Sequence, residues 1–331
     1  MKLFFIFLLI GFLINHIFPF ISTYINFTTL AVILLVIGLY ASVYEIDNKI
    51  IKKHTKMVIT AVTFGVLVKS IIIGTIFFLI TKNSFSFLLG VAVAQIDPLS
   101  VSYLLKSKDG SFSATGRAIL RVWASFDDPM TILLSVFFVA PLTIGTFHNN
   151  PFVYLYEFVF NTAFALIIFI LDKYILNEIG KKIILVLSLV IAGVFNLTLG
   201  IALIALFLRP KLGDELSKIV TAAFFIGVLL LGITLKIDIQ AIVYGIMLGI
   251  LAFGAQVVAT FLIAKKLKNS DKLHLAFAQY NGITSIGLAI FFAQYFHLMT
   301  SIIAVAVITI NTIYYVTNHI LYKRLFIVFV S

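Results

Sequence analysis

The sequence predicts an all-α polytopic membrane protein of about twelve transmembrane helices, arranged as inverted-topology repeats with two broken helices. Three observations lead there. The 331-residue chain is 62% hydrophobic, has a mean hydropathy of +1.17 and carries only 11% charged residues, which excludes a soluble globular domain. Apolar stretches of spanning length recur from end to end, continuously apolar rather than alternating as in a transmembrane barrel. A short motif then occurs twice: Ala94-Gln95-Ile96-Asp97-Pro98-Leu99-Ser100 is echoed by Ala278-Gln279-Tyr280-Asn281-Gly282-Ile283-Thr284.

The expected spans are 2–20, 23–44, 57–80, 85–105, 113–139, 152–172, 182–195, 197–208, 215–235, 240–264, 272–296 and 300–321. Lys2 and the apolar run after it have the outline of a signal peptide, but no small-residue cleavage site follows, so this run reads as the first helix. The seventh and eighth spans are short and read either as two helices or as one. No soluble domain is expected at either end. In spans four and eleven, Pro98 and Gly282 interrupt the helix at matching points, freeing backbone groups at mid-depth. The copies lie an odd number of crossings apart and so run in opposite directions. The first repeat is therefore placed at 57–139, with its break near 96–98, and the second at 240–321, with its break near 281–284. The remaining spans form a scaffold.

A net charge of +11 could suit a nucleic-acid partner, but its placement points to membrane orientation. With an interior N-terminus, 20 of the 24 basic residues fall in cytoplasmic segments, among them Lys49, Lys52, Lys53, Lys56, Lys323 and Arg324. Lys82 and Lys236 stay outside, and Lys69 and Arg121 lie in the membrane. That bias follows the positive-inside rule. The expected location is a prokaryotic cell (inner) membrane, with both termini cytoplasmic and the lipid bilayer, not nucleic acid, as partner. There is no cysteine, so disulfides and thiolate metal sites are excluded.

Charge inside the bilayer marks the chemistry, because each such group costs several kcal/mol unless paired or used. Asp97 sits at the first break, and Asp127-Asp128 lies near the centre of span five. These are hard oxygen ligands without a His or Cys cluster, which suits a dehydrated monovalent cation. Two adjacent carboxylates in a low dielectric cannot both ionise cheaply, so the same pair can carry a proton or a cation in turn. The plainer reading is that Asp127 or Asp128 only neutralises Lys69 or Arg121. Lys69, midway along span three, cannot easily snorkel to an interface and is expected to pair with Asp127 or Asp128. Arg121, two turns before Asp128, lines the inner mouth of a cavity or marks the cytoplasmic helix end. Glu157, near the outer end of span six, reads as structural. Aligning the motif copies pairs Asp97 with Asn281 (281 − 97 = 184), Asp127 with Asn311 and Asp128 with Thr312. The second repeat thus keeps amides where the first keeps charge. Gln95, Gln279 and Asn281 are expected to brace the breaks.

Four segments resemble the monovalent cation:proton antiporter superfamily, the sodium/proton exchangers. Val36-Ile37-Gly38-Leu39 with the basic stretch Lys49 to Lys56 is similar to the early Gly-Leu motif and its loop. Gly90 to Lys106 resembles the broken helix that carries Thr-Asp-Pro, Arg117 to Leu134 the helix that carries Asn-Asp or Asp-Asp, and Phe224 to Leu235 a later Phe-Phe and Gly-Leu segment. The resemblance implies a homodimer, with a dimer domain and a mobile core whose two broken helices cross. It also implies Asp128 as the principal ion and proton site, with Asp97 compensating the half-helix ends. No cofactor is expected. Ile96 stands where the family has Thr, Asn281 where it often has Arg, and Phe253 to Val257 lacks the lysine of electrogenic members; Lys69 would substitute for it.

The expected function is secondary active exchange of Na⁺ or another alkali cation against protons. The alternatives are Na⁺- or H⁺-coupled movement of another small solute, an intramembrane Asp-rich prenyltransferase, or a non-transporting scaffold. Prenyl transfer needs two Asp-rich segments to hold Mg²⁺, and only one Asp-Asp occurs.

Overall fold

The computed structural model describes residues 2–44, 60, 65–107, 112–139, 152–175, 177–265 and 267–321, and every regular element among them is helical. The basic loop Lys49 to Lys56, the opening of the third expected span, Lys108, Lys266, Lys323 and Arg324 lie outside the described residues. In chain order come α1 (Lys2–Ile17), the short α2 (Ile21–Tyr24), α3 (Phe27–Tyr44) and α4 (Val66–Thr81). The first interrupted helix is α5 (Phe85–Val93) with α6 (Pro98–Ser107). It is followed by α7 (Ala114–Leu133), which runs on into a π-helical turn, Leu134–Val139. Then come α8 (Phe152–Tyr174), α9 (Glu178–Phe195), α10 (Thr198–Ile204), α11 (Glu215–Thr234) and α12 (Ile239–Ile263). The second interrupted helix is α13 (Asn269–Ala276) with α14 (Ile283–Phe292), and α15 (Met299–Tyr315) follows, continued by a π-helical turn, Val316–Leu321.

Among the described residues, five helical stretches are long and apolar enough to cross a membrane: Phe27–Tyr44, Leu155–Tyr174, Glu215–Thr234, Ile239–Ile263 and Met299–Asn318. The chain is a multi-pass helical membrane protein. The region read as one helix or two is two, because Asn196 ends α9 in a left-handed conformation (φ 59°) with its N–H on the Ala192 carbonyl.

Helices in lipid gain little from apolar burial and pack instead by close backbone approach at small residues. α1 lies on α11 in this way: a Cβ at Gly11 would stand 3.0 Å from Ile233 N, and one at Gly232 would stand 3.0 Å from Phe12 N. α12 meets α15 at Gly245 and Gly249, where an added Cβ would come within 2.7 Å of Ile302 O and of Thr309 Cβ respectively. Some helix starts are capped by side chains: Ser113 Oγ accepts from Gly116 N at 3.0 Å, and Asp238 Oδ1 accepts from Ala241 N at 2.9 Å. Asp271 of α13 accepts from both N (2.9 Å) and Oγ (2.6 Å) of Ser113, which ties the start of α7 to the second interrupted helix.

Candidate functional site

The two interruptions meet, and their freed backbone groups find partners in each other. Pro98 opens α6 at a position where its missing N–H costs nothing, and Asp97 before it accepts from Ser100 N at 2.8 Å as the cap. Gly282 precedes α14, and a Cβ there would fall against the Asp97 carboxyl, 2.7 Å from its Cγ, so only glycine lets the two breaks come this close. Asp97 N donates to Tyr280 O at 2.9 Å. Carbonyls left open at the end of α5 accept from second-break side chains. Gln279 Nε2 donates to Val93 O (2.9 Å) and Gln95 O (2.8 Å), and Ser285 Oγ donates to Ala92 O (2.7 Å). Asn281 Nδ2 adds a bond to Val93 O at 3.2 Å. Unsatisfied backbone groups at mid-membrane are costly, so this exchange is what permits the breaks.

Helices α7 and α15 hold the crossing from either side. Asp127 Oδ2 accepts from Ile96 N at 3.0 Å, and Asn311 Oδ1 accepts from Asn281 N at 3.0 Å. Asn311 also donates from Nδ2 to Asn281 O at 3.1 Å. The residue that the motif offset pairs with Asp127 thus serves the second break as Asp127 serves the first.

Lys69 Nζ lies 2.8 Å from Asp127 Oδ2, with both side chains 0% exposed, and 5.4 Å from the centre of the Trp123 ring. Asp128 faces elsewhere. Its Oδ2 is 2.5 Å from Ser42 Oγ of α3. With the Gln95 amide turned so that its nitrogen faces a carboxylate and its oxygen faces donors, Asp128 Oδ1 accepts from Gln95 Nε2, and Gln95 Oε1 accepts from Ser285 N at 2.5 Å. Asp97 sits at the N-terminal ends of both α6 and α14, where two helix dipoles favour negative charge. A cavity of about 90 Å³ is lined by Ser42, Asp97 and Asp128, by Tyr44 at the end of α3, by Gly213 on the approach to α11 and by Ser217 in its first turn. Tyr40 and Tyr44 hydroxyls donate to Leu208 O and Pro210 O, both at 2.8 Å, and fix that approach to α3.

Asp97, Asp127, Asp128, Lys69, Gln95, Gln279 and Asn281 therefore meet at one crossing. Arg121 does not join them: its side chain is exposed on α7. Glu157 is exposed as well, and Asn161 Nδ2 donates to its carbonyl at 2.8 Å. Gln256, in the stretch that lacks the lysine, is buried and donates to Leu275 O at 2.9 Å. Ser42 and Ser285 escaped sequence reasoning. A hydroxyl one turn after Gly38 in the Gly-Leu segment was the available signal for Ser42, but nothing in the sequence places α3 against α7.

The helical arrangement is similar to that of a solved sodium proton antiporter, MjNhaP1 from Methanocaldococcus jannaschii, with a TM-score of 0.72 and 16% sequence identity. The match covers 98% of this chain and 92% of that one. At this identity the likeness is one of fold: the chain has an antiporter-type helical architecture. No family model matches it, and no curated protein does.

Proposed function

We propose that the chain is a secondary active antiporter exchanging Na⁺, or another monovalent cation, for protons by alternating access. One observation carries the reading: Asp128 and Asp97 line a cavity at the meeting point of two interrupted helices, while Asp127 beside them is already paired with Lys69. A cation entering the cavity binds the Asp128 carboxylate and displaces its proton, and a returning proton displaces the cation. Competition for one carboxylate couples the two fluxes without a covalent step, so no cofactor or enzymatic chemistry enters. Asp97 offsets the helix ends and lends negative charge, and Asp127 holds the crossing through Lys69 and Ile96 N. In this reading the repeats at 57–139 and 240–321 form the moving core. The other spans form the scaffold of a homodimer in a prokaryotic inner membrane, with twelve spans and both termini cytoplasmic.

The test is transport in proteoliposomes under an imposed pH gradient, comparing Li⁺, Na⁺ and K⁺ with and without a voltage clamp. Cation-dependent proton movement is expected, and its absence for all three ions overturns the reading. Asp128→Asn should abolish that movement in a protein that still folds; exchange at near-normal rate would remove Asp128 from the site.

A further inference from the structure

Ser42 is buried on α3, outside both interrupted helices. Its Oγ lies 2.5 Å from Asp128 Oδ2 and 2.8 Å from Gly38 O. A hydroxyl has one proton and two lone pairs, whereas a carbonyl oxygen only accepts. The one Ser42 proton serves one of these acceptors at a time, and when it lies on Gly38 O, the common back-bond of a helical serine, an Oγ lone pair can face an ion beside Asp128.

Other contacts direct the ion to this corner. Asp128 Oδ1 is taken by Gln95, so Oδ2, beside Ser42, is the oxygen left for a ligand. The cavity is lined there by Gly38, Ser42, Asp97 and Asp128. Because residue 38 is glycine, α14 comes close: a Cβ would stand 3.3 Å from Thr284 Oγ1 and 2.7 Å from Ile283 Cγ2. The charged groups around Asp128 are Asp97 at the first break, Asp127 on its own helix and, through Asp127, Lys69 on α4.

We infer that Ser42 is a selectivity-determining residue of the exchange site, its hydroxyl joining the Asp128 and Asp97 carboxylates in holding a monovalent cation. The inference rests on the antiport reading above and adds to it a ligand from the helix layer outside the core. Ser42→Ala in proteoliposomes should raise the apparent KM for Na⁺ and Li⁺ about tenfold, the worth of a hydrogen bond or ligand contact to a charged group, with maximal rate within about twofold. The Li⁺:Na⁺:K⁺ preference should change with it. Ser42→Cys, which keeps volume but offers a soft sulfur, should behave like Ser42→Ala, and Ser42→Thr should restore the wild-type KM. Stabilisation of the melting temperature by Na⁺ at alkaline pH should weaken in the first two variants and persist in the third. Unchanged KM and ion preference in Ser42→Ala and Ser42→Cys, in a preparation whose wild type exchanges, would overturn the role of Ser42 alone. A lower maximal rate with unchanged ion preference and no rescue by threonine would also overturn it, marking a packing role. Loss of exchange in the wild type would instead strike the antiport reading itself.

Discussion

Lys69→Met should destabilise the folded protein by about 3–5 kcal/mol, because it strands the Asp127 carboxylate in the interior without its counter-charge. The same pair at a surface would be worth only about 0–1 kcal/mol; burial makes the difference, and both side chains are 0% exposed at a separation of 2.8 Å. Asp127→Asn should cost a similar amount by stranding the ammonium. The double variant Lys69→Met/Asp127→Asn is the telling one. An asparagine oxygen can still accept from Ile96 N, which now donates to Asp127 Oδ2 at 3.0 Å, so both charges go while the broken helix keeps its partner. Its stability should return to within about 1–2 kcal/mol of wild type, giving a coupling energy of at least about 4 kcal/mol. Equilibrium unfolding in detergent micelles, followed by far-UV circular dichroism and by the emission of Trp123, measures all four proteins. Trp123 is the one tryptophan of the chain and lies 5.4 Å from Lys69 Nζ, so it reports on this corner directly. If the two single losses simply add in the double variant, the pair is not coupled and the reasoning fails.

Asn281→Ala should cost about 1–3 kcal/mol or weaken cation affinity, since Val93 O keeps only its Gln279 donor, yet leave the pH midpoint of exchange in place. A midpoint shift as large as that of Asp127→Asn, read from proton flux against pH, would show that the second repeat takes part in the proton chemistry. Gly282→Ala should push the Asp97 carboxyl away from both helix ends and reduce exchange about tenfold or more with helical content preserved. Flux close to wild type in that variant would mean that Asp97 tolerates displacement.

Membrane helices, the two interruptions and a buried ion pair were readable from residue type alone. A long apolar run has no other stable state in lipid. Pro98 and Gly282 break a helix wherever it lies, and a lysine at mid-depth must find a carboxylate. Whether residues 182–208 make one helix or two was not readable, because Asn196 permits the left-handed turn without requiring it. The same limit applies to Arg121, which shares a helical face with Asp128 by spacing but stands exposed while Asp128 is buried. Above all, the partners of Asp128 came from packing. Ser42 is 86 residues away and Gln279 reaches across 184 residues to Gln95 O, and no periodicity encodes such meetings. In chains this apolar, many helix faces look alike to a pattern. Which face turns toward which is decided by where glycines let backbones approach and where freed carbonyls and amides must find each other, and those conditions are met only when the whole bundle is assembled.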